Sequence, residues 1–256
     1  MNTAEKVLIA EMTSPEIEKA LKNRDTVIIP LGSVEVLGTH GPLGADWFVA
    51  SEISLVVGRK SHCLVAPAIP YGDTLELNQW PGTVCIDTEI LKELYLAVAR
   101  SFLRAGARRL IFLNCHSTNL RAADAACRLL RQEGAVCCII DWWRTAFQVS
   151  DDLVESLISP RGHGGEVITS VIMALRSETV NIAAAVNEQP KLGLSYHGEH
   201  TLTSGSLIST YSDFSEYCES GAWGDVTRAS AKKGKMIIER AITLITELIE
   251  EFRRNT

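Results

Sequence analysis

The chain has no apolar run near the roughly 20 residues a membrane helix needs. Its first twelve residues include an acidic side chain and too short an apolar stretch for a secretory leader. Cysteine is present without pattern. Cys63, Cys85, Cys115, Cys127, Cys137, Cys138 and Cys218 are odd in number and form no C-x-x-C pair, so neither a zinc knuckle nor a disulfide framework is indicated. A reducing cytoplasm is the expected compartment. Basic residues are in deficit, 25 against 31 acidic ones, for a formal charge of −6. That balance argues against a broad nucleic-acid surface. No Pro/Ser-rich linker and no internal repeat breaks the sequence, so a single domain over residues 1–256 is expected. Histidine is scarce, at six.

What is present is ordinary globular composition. With 46% hydrophobic and 22% charged residues, 256 positions can bury a large core without disulfides and are too apolar for disorder. Thr13-Ser14-Pro15-Glu16 reads as a helix start. Residues 26–31, 64–66, 109–113 and 136–140 read as buried strands. Helices are predicted over 46–59, from 87 to Gly106, over 119–132, over 165–176 and over 225–252. Leu91, Leu94, Leu96, Val98 and Phe102 are candidate core residues. Ile237, Ile238, Ile242, Leu244, Ile245 and Leu248 form the apolar side of the last helix. Residues 187–220 read as an irregular excursion with short strands near the site. Alternation of strand and helix predicts a mainly parallel sheet in an α/β fold.

Groups able to bind a metal stand just beyond the buried strands. Glu35 follows the first, His116 the third, and Asp141 ends the fourth. In parallel sheets ligands bind at the carboxyl ends of strands, so Glu35 and His116 can share a crevice. Asp46 follows Glu35 after a turn-rich loop that can bring the two carboxylates together. Two acids packed in a crevice need a proton or a cation between them. On patterning alone, Asp46 capping a helix, a solvated Glu35 and His116 in a turn account for the residues at least as well.

Four strings change that balance. Leu31-Gly32-Ser33-Val34-Glu35-Val36-Leu37-Gly38-Thr39-His40-Gly41-Pro42-Leu43-Gly44-Ala45-Asp46 resembles the creatininase signature PLGSxEQHGPHLPLGTD. Tyr71-Gly72, Glu76 and Trp80-Pro81-Gly82-Thr83 are similar to YGxSxEHxxFPGT. Asn114-Cys115-His116-Ser117-Thr118-Asn119 resembles NGHGGN. His163-Gly164-Gly165-Glu166 resembles HAGE. A tail from Gly221 to Gly234 resembles GVxGDPxxASAEKG. The strings stand in family order and cover almost the whole chain, which is identified as a divergent member of the creatininase family.

The resemblance implies a three-layer α/β/α fold and a metal-dependent amidohydrolase. Its small-molecule substrate would be a cyclic amide or related carbonyl compound. It implies one or two divalent ions per subunit (Zn, Mn or Fe) and a homo-oligomer, a hexamer. Carried over, Glu35, Asp46 and His116 are metal ligands, with Asp46 in the bridging position and Glu166 serving a second ion. His163, Asp46 and Glu166 form the candidate catalytic set. His163 would donate a proton to the leaving nitrogen or stabilise the oxyanion. His40, Glu76, Trp142 and Trp143 are candidates to line the substrate site. Large aromatics are more often core or interface, and a carboxylate such as Glu166 is favoured near a helix N-terminus in any case. His62 reads as a surface turn residue, and His197 and His200 as a reserve ligand source.

Two departures stand out. Leu37 occupies the place of a second-metal histidine, and Leu77 that of the histidine in YGxSxEH. Three readings stay open: the second ion is absent, His40 substitutes, or the protein is an inactive binding or scaffold protein with the same fold. A retained but altered site is the preferred reading.

Overall fold

The computed structural model describes residues 6–156, 159–189 and 213–256. Four strands form one parallel sheet in the order β2-β1-β3-β4. They are β1 (Thr26–Leu31), β2 (Leu64–Val65), β3 (Arg109–Asn114) and β4 (Val136–Asp141). The helices are α1 (Ser14–Leu21), α2 (Ala45–Lys60), α3 (Thr88–Arg104), α4 (Leu120–Gln132), α5 (Trp142–Gln148), α6 (Glu166–Arg176), a short turn of helix at Phe214–Tyr217, and the C-terminal helix Ala231–Arg254.

The pleat explains why β1 and β3 read as continuous apolar runs. Alternate residues point to opposite faces, and both faces are covered. Ile28, Ile111, Leu113 and Ile140 pack with Val49, Ile53 and Val57 of α2, Phe147 of α5, Val171 of α6 and Ile237 and Ile245 of the C-terminal helix. Val27, Ile29, Leu31, Leu110 and Phe112 pack on the other side with Leu91, Tyr95 and Leu96 of α3 and Ala122, Ala126 and Leu130 of α4. The result is the three-layer α/β/α arrangement. Each large aliphatic side chain buried there contributes about 1.5–3 kcal/mol.

Several expectations need correction. Leu94 is 41% exposed, and Tyr95 takes its place in the core, because the buried stripe of α3 runs through 91, 95 and 99. Leu248 is 40% exposed. With Leu244 it lies outside the buried stripe of Ile237, Ala241, Ile245 and Ile249, on a helix that packs against α2, α5 and α6. The last helix begins at Ala231 rather than near 225, where the Ser230 hydroxyl accepts the Lys233 N–H and sets the start. Helix α5 was not expected. The Asp141 carboxylate accepts the Arg144 N–H and starts it directly at the end of β4. His62 lies exposed in a turn at φ 52°. Most of the 187–220 excursion, with His197 and His200, falls outside the described residues.

The C-terminal helix crosses α6 at very short range. A Cβ on Gly234 would stand 1.8 Å from the Ser170 carbonyl oxygen and 2.9 Å from the Ala174 Cβ. Gly234→Ala should therefore destabilise the protein by about 1–3 kcal/mol, although alanine is the better helix former. A denaturant midpoint equal to or above that of the native chain would contradict this packing.

Candidate metal centre

Leu31 of β1 pairs with Asn114 of β3, so the loops leaving the two strands start side by side. Glu35 and His116 are delivered to one crevice by that register. The third group comes from the first turn of α2. Gly32 permits this approach, since a Cβ there would lie 2.8 Å from the Trp47 Cα. Ser33, the next residue, donates its hydroxyl to Asp46 Oδ2 at 3.1 Å. The Glu35 N–H donates to the Leu43 carbonyl at 2.8 Å, folding the connecting loop back on itself.

The three side chains meet out of water. Glu35, Asp46 and His116 each offer a ligand atom, all lying within 4.8 Å of one another. They are 4%, 7% and 6% exposed, so solvent does not neutralise them. His116 Nδ1 lies 2.9 Å from Glu35 Oε2 and 3.1 Å from Asp46 Oδ2. Its other nitrogen, Nε2, is 2.7 Å from the Asp73 carbonyl. A carbonyl can only accept, so Nε2 carries a proton and Nδ1 is the atom directed at the carboxylates. Among the described residues no other such ligand group occurs.

Charge follows geometry. Burial alone would push the Glu35 carboxyl up, but the adjacent His116 outweighs it and holds the group below its ordinary value. Burial raises Asp46, and the charge on Glu35 raises it further. Burial works against a charged His116, yet Glu35 and Asp46 together hold it well above the usual histidine range. With both carboxyls ionised and the imidazole protonated, the set would carry a net charge of −1.

A proton on Nδ1 serves these acceptors incompletely. It is well directed to Asp46 Oδ2, while Glu35 Oε2 is buried without a hydrogen bond. A divalent cation replacing that proton would engage both carboxylates and the imidazole and bring the net charge to zero. The donor set of two carboxylate oxygens and one imidazole nitrogen therefore fits such an ion.

The remaining sequence candidates are placed differently. His163 lies beside the trio. Its Nε2 donates to the Val36 carbonyl at 2.8 Å, and its Nδ1 is 3.9 Å from Glu35 Oε1. Glu166 is not one of the group. Its buried carboxylate accepts the N–H groups of Glu155 and Ser156 and pairs with Lys233 Nζ at 2.6 Å, so its charge is already met. His40 is buried away from the trio's ligand atoms, and its Nε2 lies 3.0 Å from Thr169 Oγ1. The Thr169 hydroxyl donates to the Gly164 carbonyl, so it accepts from His40. Burial holds His40 below its ordinary pKa, and its Nδ1 has no hydrogen-bond partner.

Glu76 stands 3.8 Å from Arg121 in a half-exposed pair. Trp142 is wholly buried in the core. Trp143 is also buried, and its indole N–H is shared between Asp46 Oδ1 at 2.9 Å and the Cys115 carbonyl at 2.8 Å. The two leucines lie in apolar surroundings: Leu37 in the cluster with Ala45 and Val49, and Leu77 with Val36, Phe214 and Cys218.

Sequence reasoning missed the residues that hold the trio in place. Asn119, read as a helix start and as the end of the string resembling NGHGGN but given no role, donates to the Gly32 carbonyl and accepts the Asp73 N–H, both at 3.0 Å. It ties the loops after β1 and β3 to the segment carrying the Asp73 carbonyl. Thr118 donates to that same carbonyl. The signal for Asn119 was its place three residues beyond the strand-end histidine, at the end of the string that resembles NGHGGN.

A three-layer α/β/α protein with a carboxylate–imidazole centre at the strand ends is thereby defined. The chain belongs to the creatininase family, described as creatinine amidohydrolase, whose sequence profile matches residues 10–249. It is 35% identical over 137 residues to a mycofactocin precursor peptide peptidase of Mycobacterium tuberculosis (strain CDC 1551 / Oshkosh), a match covering 50% of this chain and 54% of that protein. The aligned region is thus about half the length of that relative. It is 29% identical over 261 residues to the 3-dehydro-scyllo-inosose hydrolase of Thermotoga maritima, covering 96% and 83% respectively. A solved creatininase structure with Mn superposes with a TM-score of 0.78 at 25% identity, covering 96% of this chain and 98% of the other.

Asn119→Ala leaves a buried N–H and a buried carbonyl without their partner. It should lower the unfolding free energy by about 2 kcal/mol or more. A loss below about 0.5 kcal/mol in chemical denaturation would show that the clamp is dispensable.

Proposed function

We propose that this protein is a metal-dependent hydrolase acting on a small cyclic amide or a related carbonyl compound, with one divalent ion on Glu35, Asp46 and His116. One observation carries the reading: a single imidazole nitrogen faces two buried carboxylates, and one of their oxygens lacks a donor. The family's named relatives are hydrolases, and one solved creatininase relative contains Mn. Zn, Mn and Fe all suit this mixed oxygen and nitrogen donor set.

When bound, such an ion lowers the pKa of a coordinated water from about 15.7 toward about 7 and polarises a carbonyl oxygen. The protein's own groups supply the rest. Asp46, Glu35 and His116 would hold the ion, and the two carboxylates would accept hydrogen bonds from a water beside it. The Asp73 carbonyl keeps His116 in the tautomer that presents Nδ1. His163 has Nε2 committed to Val36 and Nδ1 turned toward Glu35, which suits proton delivery to a leaving nitrogen. Glu166 acts at a distance from the reaction, anchoring residues 155–156 and the C-terminal helix through Lys233. His40, with a free buried Nδ1, is the better candidate to touch substrate than Glu76, Trp142 or Trp143.

The similarity to a peptide peptidase favours a second reading, in which the scissile bond is a peptide amide. Creatinine is not the expected substrate, because the family's second-metal histidine is leucine here. The protein is further proposed to assemble as a hexamer. Leu75, at 58% exposed, and Ile90 and Leu94 of α3, at 58% and 41%, are apolar surface that subunit contact would cover.

Elemental analysis of protein loaded with Zn, Mn or Fe should give one ion per chain, and binding should raise the melting temperature. Absence of binding and of any thermal shift would leave the scaffold reading. With the ion bound, hydrolysis should be found among cyclic amides and short peptides, with creatinine a poor substrate. Glu35→Gln and His116→Ala should each abolish both ion binding and turnover. Efficient turnover of creatinine would overturn the substrate assignment, and native mass spectrometry reports the assembly.

A further inference from the structure

The two oxygens of Asp46 are committed differently. Oδ2 faces His116 Nδ1 and the Ser33 hydroxyl, on the side where the three ligand atoms converge. Oδ1 accepts the indole N–H of Trp143 at 2.9 Å. That indole is buried and further fixed by the Cys115 carbonyl at 2.8 Å, the residue before His116. It also stacks on Phe147 within α5, with ring centroids 6.3 Å apart. An indole N–H donates and cannot accept, so it takes one lone pair of Oδ1 and fixes the plane of the carboxylate. Among the described residues no second set of three ligands stands nearby to hold another ion.

We infer that Trp143 is a positioning residue that fixes the Asp46 carboxylate, so that Oδ2 is presented to a cation shared with Glu35 and His116. This deepens the metal reading given above and rests on it. Trp143 therefore acts on the ion through Asp46. By fixing the plane of the carboxylate, it keeps Oδ2 turned to the place shared with Glu35 and His116. It also ties that carboxylate to the backbone of the β3 loop, so that the ligand from α2 and the ligand from β3 move together. Partners of this kind commonly contribute 10–100-fold to metal affinity when they hold a ligand in register.

The test uses the full chain, with Zn as the probe. Calorimetry and elemental analysis should give one Zn per native chain. Trp143→Phe keeps the stacking ring and removes only the donor. It should bind Zn about 10–100-fold more weakly at temperatures well below its own melting transition. Unchanged Zn affinity in folded Trp143→Phe would overturn the inference. No Zn, Mn or Fe on the native chain would instead sink the metal reading itself.

A second measurement needs no variant. In the 15N-labelled native protein, the Trp143 indole proton is identified by its contacts to the Phe147 ring. It should stay slow to exchange with water both before and after Zn is added. Its loss or rapid exchange on Zn loading would show that the indole releases Asp46 when the ion binds and would overturn the inference even if the phenylalanine variant does not fold.

Discussion

Two carboxylates are held out of water beside one imidazole, and the upper end of the sheet is organised around that constraint. At a separation near 5 Å and an effective dielectric of about 20, their mutual repulsion is roughly 3 kcal/mol. A domain's whole stability is about 5–15 kcal/mol, so the fold cannot carry such a term without compensation. His116 supplies it, and each neighbour of the trio makes that compensation geometrically possible. Ser33 and Trp143 hold Asp46, the Asp73 carbonyl holds His116, and Asn119 holds the loops that carry them. A cation would meet the same electrostatic demand more completely than a proton.

The scaffold was largely legible because its signals are local. A β-branched run such as 26–31, buried on both faces, reads as a strand whatever packs on it, and a glycine after 103–105 ends a helix wherever it lies. The departures arise where tertiary contact decides. Leu94 and Leu248 are as apolar as their neighbours, but only helical phase relative to the sheet determines which of them is covered. Helix α5 begins with no gap after β4, so no turn residue marks the change of period. Its N-cap, Asp141, was visible only as a strand-end acid.

The centre was legible in part. Glu35, Asp46 and His116 could be named because strand-end chemistry and the family strings agree on them. Glu166 has the right chemistry and the right string, yet Lys233, some seventy residues later, meets its charge; a distant partner of that kind leaves no local trace. Trp143 resembled a pocket wall by composition, and nothing in the sequence marked the direction of its indole N–H toward Asp46. The two leucines act in the opposite sense. Leu37 and Leu77 join apolar clusters, where an imidazole would have needed polar partners.

Asn119 joins segments far apart in the chain through main-chain groups rather than through the ligands themselves. Its partners at Gly32 and Asp73 belong to the connections that close off two neighbouring strands. Spreading the ligand-bearing loops apart therefore requires separating those connections, an excursion of the same order as local unfolding of the sheet's end. An occupant of the trio would leave on the timescale of that excursion. Its residence time would then be governed by the folding dynamics of the strand ends more than by the strength of any one coordinate bond.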